Sequence, residues 1–477
     1  MQRRKFDLVV VGGGAGGLSA AFMAKYLDAK TCIIEKRRLG GDCTWSGCIP
    51  SKTLLKSASV AHLISRSKEF GMTVLSESSM KTDKVMARVR SVVHQVAKNE
   101  SVELLEKEGI GVVLGNPRFL NEKEIEVGGE VIQFKKCVIS TGSRPLIPKI
   151  EGLEKIAYLS NENLFDLKEL PGNIIILGGG PVGVEMAQAL NRLGVKVSLV
   201  EMRQRILFRE DEEVSKILEQ RIKEEGVQVL TGKKALSFSN KLGLVYCRIE
   251  NLDGKKETIS AERVLVAVGR RPNTEDLSLE ESGVSFTSQG VAVNSYLQTT
   301  NKNIFACGDV VGPYLFTHVA GYQAQICVRN ALLRRVFWRK VNYNNVAWAL
   351  FTEPELAHLG LTEEEARKRY KGIRVYRTAF SECDRALTDG VGEGLAKVII
   401  DSRGQIRGAH IVGAGAAEVI QGLLIAASLK IPLAKLSEAM FVYPALSELI
   451  KTTATKVVLE KLSSGWMKWG LRLAKKI

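Results

Sequence analysis

The stretch FDLVVVGGGAGG, Phe6–Gly17, decides the fold. Six mostly apolar residues that suit a buried strand run straight into a glycine cluster, and a helical run from Leu18 to Leu27 follows. A second short strand, TCIIE, closes on Glu35, 23 residues after Gly12. Gly12, Gly14 and Gly17 fit the G-x-G-x-x-G pattern. The first glycine permits the tight turn, the second lets the backbone approach a pyrophosphate, and the third lets helix and strand pack closely. The helix N-terminus then faces the phosphate charge, and Glu35 is placed to accept hydrogen bonds from a ribose hydroxyl.

The unit recurs. NIIILGGGPVGVEMAQALNRLGVKVSLVE carries Gly178, Gly180 and Gly183 and ends in Glu201, each 166 residues beyond its counterpart. Two such units predict two bound nucleotides. A carboxylate at the end of the second strand pairs with a 2′-hydroxyl and repels a 2′-phosphate, so Glu201 predicts a preference for NADH over NADPH. Arg203 and Arg205 follow it and offer a phosphate an alternative partner, so the expected discrimination is incomplete.

The bulk properties agree with a soluble enzyme of roughly three domains. The chain has 477 residues, of which 45% are hydrophobic and 25% charged. Aromatics make up only 6%, which gives no support to base-stacking platforms. The net charge of +16 is scattered over most of the chain and reads as a solvated surface that also attracts anionic cofactors, not as a nucleic-acid footprint. The basic start followed by an apolar run imitates a signal peptide, but Asp7 and the glycine cluster fit a strand and turn better. No uncharged apolar run is long enough to span a bilayer, and the chain reads as cytoplasmic. Eight cysteines are too dilute for a disulfide scaffold.

Between the two units lies GGDCTWSGCIPSK, Gly40–Lys52. Cys48 stands just ahead of a predicted helix with Pro50 in its first turn and Lys52 one turn inside. The helix dipole and the lysine both stabilise a thiolate, and a low-pKa thiol near Cys43 suits disulfide exchange. A passive bridge or half a metal site are the other readings; the absence of a second cysteine pair at zinc spacing speaks against the latter. No metal site is expected.

The chain resembles the class I pyridine nucleotide–disulfide oxidoreductases, which include lipoamide dehydrogenase, glutathione reductase and mercuric reductase. GGDCTWSGCIPSK is similar to their redox-active segment. STGSRP (Ser140–Pro145) and VAVGRRPN (Val266–Asn273) resemble their strand-end turns, with Thr141, Gly142 and Gly269 beside the cofactors. TTNKNIFACGD resembles their second FAD motif, in which Asp309 holds the ribityl chain, and FTEPELAHLGLTEEEA resembles the start of their dimerisation domain. The resemblance implies FAD in the first unit, NADH (or NADPH) in the second, and electron flow to a Cys43–Cys48 disulfide. It also implies that Cys48 faces the flavin, that Cys43 exchanges with substrate, and that Lys52 pairs with Glu185.

One departure is chemically large. Relatives carry His-Pro-Thr and a glutamate near the C-terminus, and the histidine serves the exchanging thiol across a dimer interface. Here the stretch is FVYPALSELIK: Pro444 and Glu448 remain, but Tyr443 takes the histidine position. An unperturbed tyrosine titrates near pH 10, about three units above neutrality. Positioned acid–base catalysis contributes about 10²–10⁴-fold, so Tyr443 argues against efficient dihydrolipoamide oxidation and against glutathione reduction. Tyr443 reads either as a plain interface residue or as a hydrogen-bond donor to a thiolate or bound acceptor. Mercuric reductases also place a tyrosine there and are the nearest branch, yet they end in an adjacent cysteine pair, and no cysteine follows Cys383 here.

At the C-terminus Trp466, Trp469, Leu473 and Ile477 recur at helical spacing among four cations, which suits either weak contact with an anionic membrane or packing on the dimer. The expected architecture is α/β. An FAD-binding domain (1–148 and 270–341) is interrupted by a Rossmann-like NAD(P) domain (149–269), and an α+β dimerisation domain (342–460) and a basic tail (461–477) follow. The expected function is an FAD-dependent NAD(P)H oxidoreductase passing electrons through the cysteine pair to a sulfur- or metal-type small-molecule acceptor. The expected assembly is a homodimer whose active site spans the interface. Dihydrolipoyl dehydrogenase, a quinone- or oxygen-directed diaphorase, and a non-enzymatic basic flavoprotein are the alternatives.

Overall fold

The computed structural model describes residues 3–73 and 81–463. The basic tail read from the sequence falls almost wholly in 464–477, outside the described residues.

Each glycine-rich unit lies in its own sheet, mixed in the first case and parallel in the second. In the first, Arg3–Val11 pairs in parallel with Thr31–Glu35 on one side and Glu130–Ile139 on the other. The sheet has seven strands. Its last member, Ile304–Ala306, pairs with Glu130–Ile139 although some 165 residues separate them along the chain. The first sheet is thus completed only after the chain has built the second unit, so the first domain is interrupted by the second. Strands buried on both faces read as continuous apolar runs: Leu8, Val9, Val10 and Val11 are all at the core.

In the second unit Asn173–Leu177, Lys196–Glu201, Gln228–Thr231 and Arg263–Val266 form a four-stranded parallel sheet, beside a three-stranded antiparallel one. The two units are joined by a two-stranded ribbon that the sequence reading took as plain turns: Ser143–Pro145 pairs antiparallel with Arg270–Pro272. The C-terminal region is a five-stranded antiparallel sheet backed by the helices Ala416–Ser428 and Glu448–Ser463, which share one apolar cluster with it. No described helix is long and apolar enough to cross a membrane.

The two glycine turns are built alike. Gly12 and Gly178 have φ of +104° and +105°, the left-handed region that other residues avoid. A Cβ on Gly17 would collide with the Gly12 carbonyl oxygen, and one on Gly183 with that of Gly178. Glu35 and Glu201 lock these turns from the far side. Glu35 accepts from the Gly13 N–H at 2.7 Å, and Glu201 from the Gly179 N–H at 2.6 Å.

A buried polar cluster fastens the second unit to the C-terminal sheet. His358 and His410 lie on neighbouring strands of that sheet, at the centre of this cluster. His358 Nδ1 lies 2.8 Å from Glu210, Trp348 stacks on its ring, and His410 meets it edge-on. His410 Nε2 donates to the Leu361 carbonyl, while its Nδ1 is buried with no partner. Burial, reinforced by His358, holds the His410 imidazole down to about 4. The unfolded chain, titrating near 6.5, takes up this proton first as pH falls, so stability is full above about 6.5 and declines towards 4. We expect a loss of roughly 3 kcal/mol across that window. His410→Gln should flatten that part of the dependence of the unfolding midpoint on pH; an unchanged slope refutes the assignment.

Candidate active site

A cleft of about 800 Å³ runs from the first glycine turn to the second unit. Its lining includes Gly12, Gly14, Glu35, Cys43, Cys48, Lys52, Thr141, Gly142, Glu185 and Asp309, so the structure brings most of the predicted residues to one place. Three helices begin at its wall: Ala15–Tyr26, Cys48–Ser65 and Thr317–Leu332. None has a side-chain cap. Their first-turn N–H groups therefore lack the usual partner and point positive ends at the cleft, which suits a diphosphate and a thiolate. The glycine turn, the uncapped helix start and the length of the cleft fit FAD.

Cys48 is the first residue of its helix, a step further in than the sequence suggested, and Lys52 follows one turn on. The two sulfurs share a partner that the sequence did not reveal. The Thr317 hydroxyl lies 3.3 Å from Cys43 Sγ and 3.6 Å from Cys48 Sγ. The Cys43 hydrogen bond brings the Cys48 thiol down to about 6; Thr317 and the Lys52 charge act in the same sense, against burial. Cys43 moves the opposite way, because its proton is held between the two sulfurs and the site is partly desolvated. The opposite directions of the two shifts favour the thiolate on Cys48 and the proton on Cys43. Lys52 is kept in place by Glu185, at 2.9 and 3.0 Å, and Glu185 also accepts from the Phe351 N–H at 2.9 Å. This joins the redox helix, the second unit and the C-terminal region at one carboxylate.

A second network was invisible in the sequence. Arg270, on the joining ribbon, meets Asp42 at 2.9 Å and Asp309 at 3.6 Å. Its Nε donates to Ser143 Oγ, which in turn donates to Asp309 at 2.6 Å. Asn161 also donates to Asp42, at 2.9 Å. Burial raises the Asp309 carboxyl above its ordinary value, opposed by Ser143 and Arg270. The residue next to Cys43 is thus tied to Asp309 through one guanidinium. No spacing rule connects positions 42, 143, 270 and 309; only the ribbon pairing does. Thr141 and Asn273 bond reciprocally across the same ribbon, at 2.7 and 2.9 Å.

In the second unit Gly180 starts the helix Pro181–Arg192 without a side-chain cap. Both arginines offered as phosphate partners are engaged. Arg205 donates to the carbonyls of Leu207, Phe208 and Glu210 at 2.8–3.0 Å. The Arg203 guanidinium lies 4.0 Å over the Phe208 ring.

Tyr443 and Glu448 are not brought to the dithiol within one protomer. Tyr443 is 67% exposed, and its hydroxyl donates to Asp384 at 3.0 Å, which raises its pKa further. Glu448 opens the helix Glu448–Ser463. The remaining cysteines behave as packed residues: Cys32, Cys137, Cys247, Cys307, Cys327 and Cys383 are all buried. His318 stacks on Phe316, and its Nε2 donates to the Ala347 carbonyl at 2.8 Å. Among the described residues no group of three or more His, Cys, Asp or Glu side chains is arranged to hold a metal ion.

Two dinucleotide-binding folds facing a thiol pair at a helix end define a flavin-dependent disulfide oxidoreductase. The chain belongs to the pyridine nucleotide-disulphide oxidoreductase family, whose model matches residues 6–324, with the family's dimerisation domain at residues 346–454. It is 31% identical to a mercuric reductase of Staphylococcus aureus over 454 residues, 94% of this chain and 82% of that protein. It is 34% identical to a dihydrolipoyl dehydrogenase of Thermus scotoductus over 453 residues, 93% of this chain and 96% of that one. The Cu(II) complex of the HOCl-induced flavoprotein disulfide reductase RclA from Escherichia coli superposes with a TM-score of 0.85 at 26% identity, covering 95% of this chain and all of that one. The protein is an FAD-dependent NAD(P)H oxidoreductase with a redox-active dithiol, and its C-terminal region is a dimerisation domain.

Proposed function

We propose that the acceptor is a thiophilic metal cation reduced at the Cys43–Cys48 pair. One observation carries this: the groups that touch the sulfurs are a hydroxyl, Thr317, and, through its charge, the Lys52 ammonium, and neither is a general base. The tyrosine in the family's histidine position is bonded to Asp384 and pushed further from its base form. Oxidation of a dithiol substrate needs its proton removed. A soft cation binds thiolates directly and needs no such base. The printed names of a mercuric reductase and of a copper complex among the relatives point the same way.

FAD, when bound, supplies the two-electron step between NAD(P)H and the disulfide. The remaining roles belong to the chain. Cys48 carries the thiolate at the helix end and faces the flavin. Cys43 meets the acceptor. Thr317 holds the sulfurs together, and Lys52, oriented by Glu185, supplies positive charge beside them. Asp309, held by Ser143 and Arg270, takes the ribityl hydroxyls. Tyr443 and Glu448 reach the partner protomer's dithiol in a homodimer whose site spans the interface. The domain boundaries follow the sequence reading, at 148/149, 269/270 and 341/342.

NADH oxidation offered Hg(II), Cu(II), lipoamide, glutathione disulfide, quinone and oxygen in turn tests the reading. Metal ions should give the highest turnover and lose it in Cys43→Ser; lipoamide as the best acceptor overturns it. Because Glu201 ends the second strand, where a 2′-hydroxyl would be accepted and a 2′-phosphate repelled, while Arg203 and Arg205 are engaged, kcat/KM for NADH should exceed that for NADPH by about tenfold or more, some 1.4 kcal/mol. A ratio below one contradicts this.

A further inference from the structure

Between Asp309 and Glu353 the chain has no acidic residue, yet five cations fall within Arg329–Lys340. Four of them, Arg334, Arg335, Arg339 and Lys340, are exposed and form no ion pair among the described residues. Between these pairs Val336 is 81% and Phe337 52% exposed. The neighbouring Trp338 points the other way, packing on Tyr296 and Phe305.

This loop is not loosely held. Asn330, which is buried, donates to the Tyr296 and Arg339 carbonyls and accepts from the Arg339 N–H, all at 2.9–3.0 Å. Arg329 Nε donates to the Phe337 carbonyl at 2.6 Å, and Trp338 Nε1 to that of Leu333 at 3.1 Å. A single turn, Arg335–Phe337, is thereby fixed with its two apolar side chains outward. Scattered exposed hydrophobes need no explanation, but a pinned apolar tip framed by four cations that meet no carboxylate, two of them over the Trp338 and Tyr296 rings, is a combined chemical pattern.

We infer that Arg334–Lys340 docks on an anionic phospholipid surface, with the cations at headgroup phosphates and Val336 and Phe337 entering the acyl boundary. Complementarity selects this occupant. A nucleic-acid backbone would satisfy the cations but offers Val336 nothing apolar, and an uncharged apolar partner would leave the cations unmatched. The face lies at the C-terminal end of the helix Thr317–Leu332, whose N-terminus is at the dithiol, so docking leaves the cleft open.

The test is co-sedimentation of the full chain with phosphatidylcholine vesicles, with and without phosphatidylglycerol, at low and high salt. The wild-type chain should sediment only with the anionic vesicles and be released by salt. Arg334→Gln with Arg335→Gln should weaken partition about 25-fold, at about fivefold per cation. Val336→Ser with Phe337→Ser should weaken it by at least about tenfold with all charges retained. NADH oxidation should be unchanged in both. Failure to bind anionic vesicles overturns the inference. So does equal binding by the loop variants, which assigns attachment to another part of the chain. Retention on duplex DNA that the serine variant leaves intact, without vesicle binding, replaces the lipid with nucleic acid and also overturns it.

Discussion

Cys48→Ser is expected to lower NADH-driven turnover of every dithiol-dependent acceptor by about 10³-fold or more, as removal of an attacking nucleophile does elsewhere. The reason lies in where the single negative charge of the pair resides. Cys48 begins an uncapped helix, has Lys52 one turn away, and receives the proton shared from Cys43. Serine keeps the shape and the hydrogen bond to Thr317 but titrates far too high to hold that charge. Ferricyanide, which takes electrons without needing the sulfurs, should still be reduced at close to the wild-type rate, so a folding defect and a chemical one are told apart. Cys43→Ser should fail on the same acceptors while leaving one titratable thiolate. Should Cys48→Ser keep more than about a tenth of its metal-dependent turnover, the thiolate assignment and the dithiol route both fall.

The second large effect is on stability. Lys397→Met should destabilise the protein by about 3–5 kcal/mol, the usual result of breaking a buried ion pair from one side. The Lys397 side chain is 4% exposed and meets Asp211 at 2.8 Å, Glu363 at 2.9 Å and Glu213 at 3.0 Å. Burial alone would lower its pKa, but hydrogen bonds from the ammonium to Asp211, Glu363 and Glu213 raise it instead. Methionine fills the volume and strips Asp211 of its cation, while Glu213 and Glu363 keep only their contacts with Arg377 and Arg367. Asp211 is also the N-cap of the helix Glu212–Glu224, so the damage reaches the second dinucleotide unit. A fall in the unfolding midpoint of roughly 3–5 °C at neutral pH is the expected reading. It should shrink in acid as Asp211, whose carboxyl is held below its ordinary range, takes up a proton. A shift under about 2 °C would mean that the cluster relaxes to solvent and holds nothing together.

Much of the architecture was legible because it is written in short periods. A strand, three glycines and a helix fit within some 20 residues, and the glycine identities follow from backbone clashes that any other residue would suffer. The repeat at 166 residues then required two nucleotide sites, and the cysteines announced their chemistry by standing at a helix start beside a lysine. The residues that surround those sulfurs were not legible. Thr317 looked like an ordinary helix residue until the fold laid it against Cys43, some 270 positions away. Arg270 was one of two arginines in a turn, and Asp42 merely the residue before a cysteine.

His358 and His410 show the same limit from another side. Each fits a strand by periodicity, and nothing local says that Glu210, from the second unit, will cross over to meet one of them. Local sequence therefore determined the two dinucleotide folds, the identity of the redox pair and the cofactors it serves, since backbone geometry and helix electrostatics act over a few residues. Tertiary structure alone decided which hydroxyl lies beside the two sulfurs, what holds Asp42 to Asp309, and how the C-terminal domain is fastened. Hydrogen bonds and Coulomb forces depend on distance in space, and only the folded sheets bring those side chains within three ångströms or so.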